Sequence, residues 1–348
     1  MTKAPISSIL IAGFVSFFHL CQAAGLPAAT AGGAAVIRSH NASELVIPVT
    51  DFGPEGNQDV YSRYQRFLSS SQRCEILTPG PRVMLTGFGL FSGVPYNISG
   101  ALIENFAIPE VWPEELSTAD HPHVINSSRP LKSGILKQSN HGVKVVNRKL
   151  RINQRELSVC LVLIDVLWDF AGAVIAAEME RFQPNLVLMS GRGDSDVILE
   201  GGAKNIATKL SGFKSNGDID TRNTPVSSTI DTGASGDLVV PMTWNNQDLQ
   251  ARIRPLVGTL GHLVSAPPLW RPSNYYICNN ISFIALSAAA GFRFKLAGDL
   301  IDVNPLIHSR PQIGFMHLPA DAEIQHATLP IWVHVYANLI DQALHNIP

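Results

Sequence analysis

Three short segments set residue types with chemistry beside strand-like runs. Tyr275-Tyr-Ile-Cys-Asn-Asn280 precedes an apolar stretch, Ile281 to Ala290, that reads as a helix. The positive end of a helix dipole stabilises a thiolate, so Cys278 is a candidate nucleophile; a buried, inert cysteine is the plainer use of a lone thiol. Gly314-Phe-Met-His-Leu-Pro319 sets His317 at the end of a strand, where it could act as a general base or sit satisfied in the core. Thr86-Gly-Phe-Gly-Leu-Phe-Ser-Gly93 directly follows a strand. Gly87, Gly89 and Gly93 mimic a dinucleotide-binding turn, but Pro95 interrupts the helix such a turn must open, which favours a glycine-rich connection. Phe88 and Phe91 stand in that turn, in a context too polar for core packing to be their obvious use. His121-Pro-His123 has no third ligand at helical or hairpin spacing, so neither a metal nor a cofactor is expected.

The elements that must position these residues alternate. Val83 to Thr86 and Leu157 to Val166 read as buried strands, the second containing Cys160. Trp168 to Phe182 has the helical spacing of Phe170, Val174, Ala177 and Met179, with Pro184 beyond its end. Leu186 to Met189 and Gly314 to Leu318 are further strands, Leu329 to His345 a final helix, and Asp59 to Leu68 a short amphipathic one. Strands separated by helices predict an α/β fold with a mostly parallel sheet, whose ligands bind beyond the strand carboxyl ends.

The 348 residues carry 26 Lys and Arg against 28 Asp and Glu, a formal charge of −2, which leaves no basic excess for nucleic acid or an acidic membrane. With 45% hydrophobic and 16% charged residues, the chain can bury a substantial core. Lys3 precedes an uncharged run from Ala4 to Leu20, and small residues flank Gln22. That pattern predicts a signal peptide over residues 1–23 and export to the periplasm or outside, the run being short of the about 20 apolar residues of a spanning helix. No later run is long enough to give a stable membrane span. Residues 25–36, almost all Ala, Gly, Pro and Thr, read as a flexible linker within an N-terminal extension over 24–80. Cys74, Cys160 and Cys278 would then meet an oxidising compartment in odd number, leaving at least one unpaired within the chain. Sequons stand at Asn41, Asn97, Asn126 and Asn280.

Taken in order, the segments resemble the pyroglutamyl peptidase I family of cysteine peptidases. Val83-Met-Leu-Thr-Gly-Phe-Gly-Leu-Phe-Ser-Gly-Val-Pro-Tyr-Asn97-Ile-Ser is similar to that family's T-G-F-x-P-F-x-G-x-x-x-N-P-S segment. Leu186 to Asn205 resembles its strand, glycines and E-x-V-A-x-N segment, Tyr276-Ile-Cys278-Asn279 its nucleophile segment, and Gly314-Phe-Met-His317-Leu-Pro319 its G-F-I-H-V-P segment. The resemblance covers about residues 81–346 and implies one catalytic domain over 81–348, a three-layer α/β/α sandwich with a mostly parallel, twisted central sheet. It implies Cys278 as nucleophile, His317 as base and Glu200 as the acid orienting it, with removal of N-terminal pyroglutamate from peptides through a thioester. Phe88 and Phe91 would sandwich the lactam ring, with Asn97 and Asn205 completing the substrate-binding set. No partner beyond that peptide is implied, and assembly into a homo-oligomer is left open.

The chain departs from the family pattern near the site. Leu90 and Ile98 stand where the family has prolines, and Asp194 where an arginine is expected. Gly201 follows Glu200 in place of an arginine, and the family's later arginine is missing, with Lys209 or Lys214 as substitutes. Arg271-Pro-Ser-Asn-Tyr275 replaces N-T-A-G-T before the cysteine. Two alternatives follow: a cysteine hydrolase of altered acyl-amide specificity, or an inactive, binding member of the family.

Overall fold

A computed structural model of the chain describes residues 46–48, 53–90, 96–125, 128–136, 141–206, 212–213, 219–220, 237–274 and 276–345. The expected signal peptide, the Ala/Gly-rich stretch, Phe91, Lys209, Lys214 and the sequons at Asn41 and Asn126 lie outside them. In chain order the elements begin with β1 (Val46–Pro48), α1 (Gly53–Leu68), β2 (Arg82–Phe88), α2 (Ile98–Phe106) and β3 (Glu115–Leu116). A hairpin of β4 (Val143–Ile152) and β5 (Arg155–Ile164) leads to α3 (Phe170–Phe182) and β6 (Leu186–Arg192). Short strands follow: β7 (Val197–Leu199), β8 (Gly202–Lys204), β9 (Gly212–Phe213), β10 (Ile219–Asp220) and β11 (Val239–Pro241). Then come α4 (Asn246–Thr259), β12 (Val264–Ser265), α5 (Ile277–Ala289), β13 (Arg293–Leu296), β14 (Ile301–Val303), β15 (Gln312–Leu318) and α6 (Leu329–His345).

Eight strands form the central sheet in the order β12-β7-β15-β6-β2-β5-β4-β3. β2, β5, β6 and β15 run parallel to their sheet neighbours among themselves and are buried almost throughout. Burial on both faces is why these segments read as continuous apolar runs instead of alternating ones. The two antiparallel contacts are β4 with β5 and β15 with β7. Asn153 and Gln154 turn the β4–β5 hairpin with φ of 47° and 66°, the left-handed pair that a two-residue turn between twisted strands requires.

Helices cover both faces and give the three-layer α/β/α arrangement. α3 packs with α5, and α1 lies on α3; on the other side α6 packs with α2 and α4. α2 starts where Asn97 caps it, its Oδ1 accepting from the Ser99 N–H and hydroxyl. Asn245 does the same for α4. Among the described residues no helix is long and apolar enough to cross a membrane.

The segment after α1 is fixed to the sheet by a disulfide between Cys74 and Cys160 of β5. Glu178 of α3 lies fully buried beside it; its carboxylate accepts from the Cys74 N–H at 2.7 Å and pairs with Arg73. Burial pushes the Glu178 carboxyl up, against the pull of Arg73 and the Cys74 amide.

Candidate functional site

The site gathers at the carboxyl ends of β6 and β15. Register sets His317 directly across from Gly191, so Gly191 and His317 are neighbours on adjacent strands. Glu200 follows β7, and its N–H donates to the Phe315 carbonyl at 2.9 Å, which ties it to β15 as well. Asn246 donates to the Glu200 carbonyl from the other side. These bonds hold the Glu200 side chain against His317: Nδ1 to Oε1 is 2.6 Å, with Glu200 0% and His317 6% exposed. A carboxylate only accepts, so Nδ1 carries the shared proton, which makes Nε2 the acceptor whenever the ring is neutral.

Cys278 enters from α5, one residue after the helix starts beyond Tyr276. Its sulfur lies on β6, where a Cβ added to Gly191 would come 2.8 Å from Sγ and 2.9 Å from Phe315 Cζ. Only glycine leaves room for the thiol against the strand. Among the described residues Sγ makes no hydrogen bond to His317, and Cys278 is the one free cysteine. Burial, and then the Glu200 carboxylate, push its thiol far up from the usual range, with its own backbone amide and Arg271 pulling less strongly the other way.

Arg271 completes the cluster. Its Nε and Nη2 both donate to Glu200 Oε1, at 3.1 and 2.6 Å, while Nη1 donates to Ser273 Oγ at 2.9 Å and lies 3.5 Å from Asp194. Nη2 is also 3.5 Å from His317 Nδ1, a contact between two hydrogen-bearing nitrogens and not a hydrogen bond. Burial alone would raise the Glu200 carboxyl; the His317 and Arg271 hydrogen bonds outweigh it and hold it below the usual carboxylate range. Oε2 of the same carboxylate is buried without a partner, as are both polar atoms of the Asn274 amide, in the loop that carries Arg271.

The other expected site residues have structural partners. Phe88 is 3% exposed and belongs to the hydrophobic core. The Asn97 amide is spent on the α2 cap and on the Gly89 carbonyl. Asn205 is buried, its N–H donating to the Leu238 carbonyl. Asn97 and Asn280, at 1% and 0% exposure, are closed to glycosylation in this fold.

The expectation of a working Cys278–His317–Glu200 thioester peptidase for pyroglutamyl peptides is therefore corrected. Cys74 and Cys160 are consumed in a disulfide, and the group they form with Glu178 contains no histidine. The remaining thiol is buried and unbonded to His317, burial and the Glu200 carboxylate push its pKa up, and the acid that should serve the histidine is shared with an arginine. An activated nucleophile needs the opposite arrangement, a base within hydrogen-bond reach and a depressed pKa.

Sequence reasoning missed Arg271 and Asn279. Arg271 opens the Arg271-Pro-Ser-Asn-Tyr275 segment that departs from the family pattern, and that departure was the available signal. Lys209 and Lys214, the expected substitutes for the missing arginine, lie outside the described residues. Gly201 carries no side chain because a Cβ there would meet the Pro267 carbonyl oxygen at 2.2 Å. The loop leading to Arg271 passes over that position.

No family model matches the chain, and no curated protein does. Solved structures similar in fold include pyroglutamyl peptidase I of Bacillus amyloliquefaciens, at 13% identity and a TM-score of 0.47 over 76% of this chain and 98% of that one. Pyrrolidone carboxyl peptidase of the hyperthermophile Pyrococcus furiosus is similar at 13% identity and TM-score 0.45, over 77% of this chain and all 100% of its own. A mutant of that enzyme gives 12% identity and TM-score 0.46 over the same shares.

Proposed function

We propose that this chain is an exported protein that binds a small acyl amide at the Arg271–Glu200–His317 cluster without turning it over through an activated thiol. The observation that carries the reading is the Asn274 amide: it is 2% exposed, and neither its donor nor its acceptor has a partner. A buried amide with neither polar atom bonded calls for a partner outside the chain's own groups, and an acyl amide presents the matching donor and acceptor. Glu200 Oε2, open on the same cluster, adds a second acceptor for the occupant's N–H. The raised Cys278 thiol argues against covalent chemistry in the resting state. Export is supported by the apolar start and by the Cys74–Cys160 disulfide, a bond typical of oxidising compartments. In this reading residues 1–23 are removed, 24–80 form an extension, and 81–348 hold the site.

One observation favours a second reading, a hydrolase of altered acyl-amide specificity: the Glu200–His317 bond leaves Nε2 available as a base. A panel of pyroglutamyl, N-acetyl and N-benzoyl amides decides between them. Calorimetric binding with no amine released, unchanged in Cys278→Ala, is the result expected. Release that disappears in Cys278→Ala would replace binding by hydrolysis, and absence of binding by every amide would end both readings.

A further inference from the structure

Residues 53–80 precede the segments that resemble the peptidases, yet three links fasten them to the rest of the fold. Cys74 is bonded to Cys160 of β5, Arg63 of α1 lies 3.3 Å from Asp165 just beyond β5, and Arg73 pairs with Glu178 of α3. Where this extension meets the loop before β4, a cavity of about 530 Å³ opens, lined by Gln65, Arg66, Ser69, Ser70, Ser71 and His141. Five of these six residues come from the extension, and none belongs to the Arg271–Glu200–His317 cluster.

The lining is one-sided in its chemistry. It brings together a guanidinium, an imidazole, three hydroxyls and a carboxamide, and among these six residues there is no carboxylate. Arg66 lies close enough to His141 for its charge to add to burial in lowering the imidazole below its ordinary value. The ring makes an edge contact with Phe67, 5.8 Å between centres, and the Arg73 guanidinium sits 4.5 Å from the centre of the same Phe67 ring. Two groups able to carry positive charge therefore border one hollow.

The end of α1 does not oppose an anion there. The last carbonyls of a helix carry the negative end of its dipole, but here donors of the chain cover them. Gln65 O accepts from the Ser69 N–H at 3.1 Å and from its hydroxyl at 2.9 Å, Phe67 O from the Ser70 N–H at 2.9 Å, and Leu68 O from Arg73 Nη1 at 3.3 Å. Ser70 Oγ accepts from the Gln72 N–H at 3.0 Å, so its own proton remains to be donated. The volume falls in the range of about 300–1,000 Å³ that holds small organic ligands. A carboxylate has two oxygens to satisfy, whereas a phosphate or sulfate ester presents three outer ones, which suits an arginine fork flanked by several hydroxyls.

We propose that this cavity binds a small phosphate or sulfate ester of a polyhydroxy compound, its oxyanion held by Arg66 and the serine hydroxyls. The hydroxylated body of the ligand occupies the same hollow, where the carboxamide and imidazole can bond it. This gives the extension a ligand of its own, independent of the acyl-amide site, and failure of either reading leaves the other standing.

The test is calorimetric titration of the protein with glucose 6-phosphate, glucose 6-sulfate, glucose and glucuronate. The better of the two esters should bind at least about tenfold tighter than glucose and glucuronate, as charge-assisted hydrogen bonds predict, and its identity names the source of the oxyanion. Raising the salt should weaken that ester and leave glucose unchanged. Arg66→Gln, at an exposed position, should lower the ester affinity at least about tenfold, and Ser70→Ala with Ser71→Ala about fivefold, with melting temperatures confirming that the variants fold. Esters that bind no tighter than glucose or glucuronate, or that bind the Arg66→Gln variant equally well, would overturn the proposal.

Discussion

Replacing Arg271 by methionine keeps the apolar stem and removes the charge that Glu200 depends on. Glu200 has no exposed surface, its Oε2 has no partner, and Oε1 receives two of its three hydrogen bonds from Arg271. Breaking a buried pair by deleting one member costs about 3–5 kcal/mol, which at about 2 °C per kcal/mol for a domain of this size lowers the melting temperature by about 6–10 °C. The pH dependence gives the sharper signature. In the native protein the Glu200 carboxyl is held low, so its contribution to stability is full above the unfolded value of about pH 4.3 and fades as the pH falls through the folded value. Without Arg271, His317 alone opposes burial and the carboxyl moves up from its native value. Less of the pH-dependent contribution then remains to the variant at pH 7. Thermal melts at pH 4 and pH 7 should show the gap between the two proteins widest at pH 7 and narrowing toward pH 4. A gap below about 2 °C, or one independent of pH, would refute the reasoning that Arg271 is what keeps Glu200 charged.

Other perturbations read separate parts of the structure. Gly191→Ala places a Cβ 2.8 Å from Cys278 Sγ, so it should cost about 1–3 kcal/mol in urea melts while an apolar-to-alanine change elsewhere on β6 leaves Cys278 undisturbed. Replacing both Cys74 and Cys160 by alanine opens a link between residues 86 apart and should cost about 4 kcal/mol, matched in the unaltered protein by full reduction. Asn279→Ala strips three hydrogen bonds from the Lys204–Ile206 edge and should destabilise by about 2–4 kcal/mol, with faster amide exchange at Lys204 as the local readout.

The central strands were legible because burial on both faces writes itself as unbroken apolar runs, and α3 and α6 because their apolar spacing and the prolines at their borders agree. The Cys278 segment was legible as the start of a helix, and His317 as a strand end. What was hidden depends on contacts far apart in the chain. β4 carries a mixed burial pattern and pairs with β5 through a turn of Asn153-Gln154, which lacks the glycine that would have announced it. Phe88 looked like a displayed ring because its neighbours are glycines, yet it closes β2 and faces the core. Residue types at Cys278, His317 and Glu200 could not reveal that Arg271, 71 positions from Glu200, would claim the same carboxylate oxygen. Nor could they reveal a thiol buried without a base.

The state of Cys278 is the most direct test of the account. Carboxymethylation by iodoacetamide of the folded, disulfide-intact protein, followed from pH 6 to pH 10 by mass spectrometry of the Cys278 peptide, reports the thiolate fraction and its access together. The structure predicts labelling slower than that of a free cysteine throughout and still rising at the top of the range, because burial and the Glu200 carboxylate hold the proton on sulfur. Labelling that reaches its plateau below pH 7, faster than free cysteine, would contradict the account and return Cys278 to the role of an activated nucleophile.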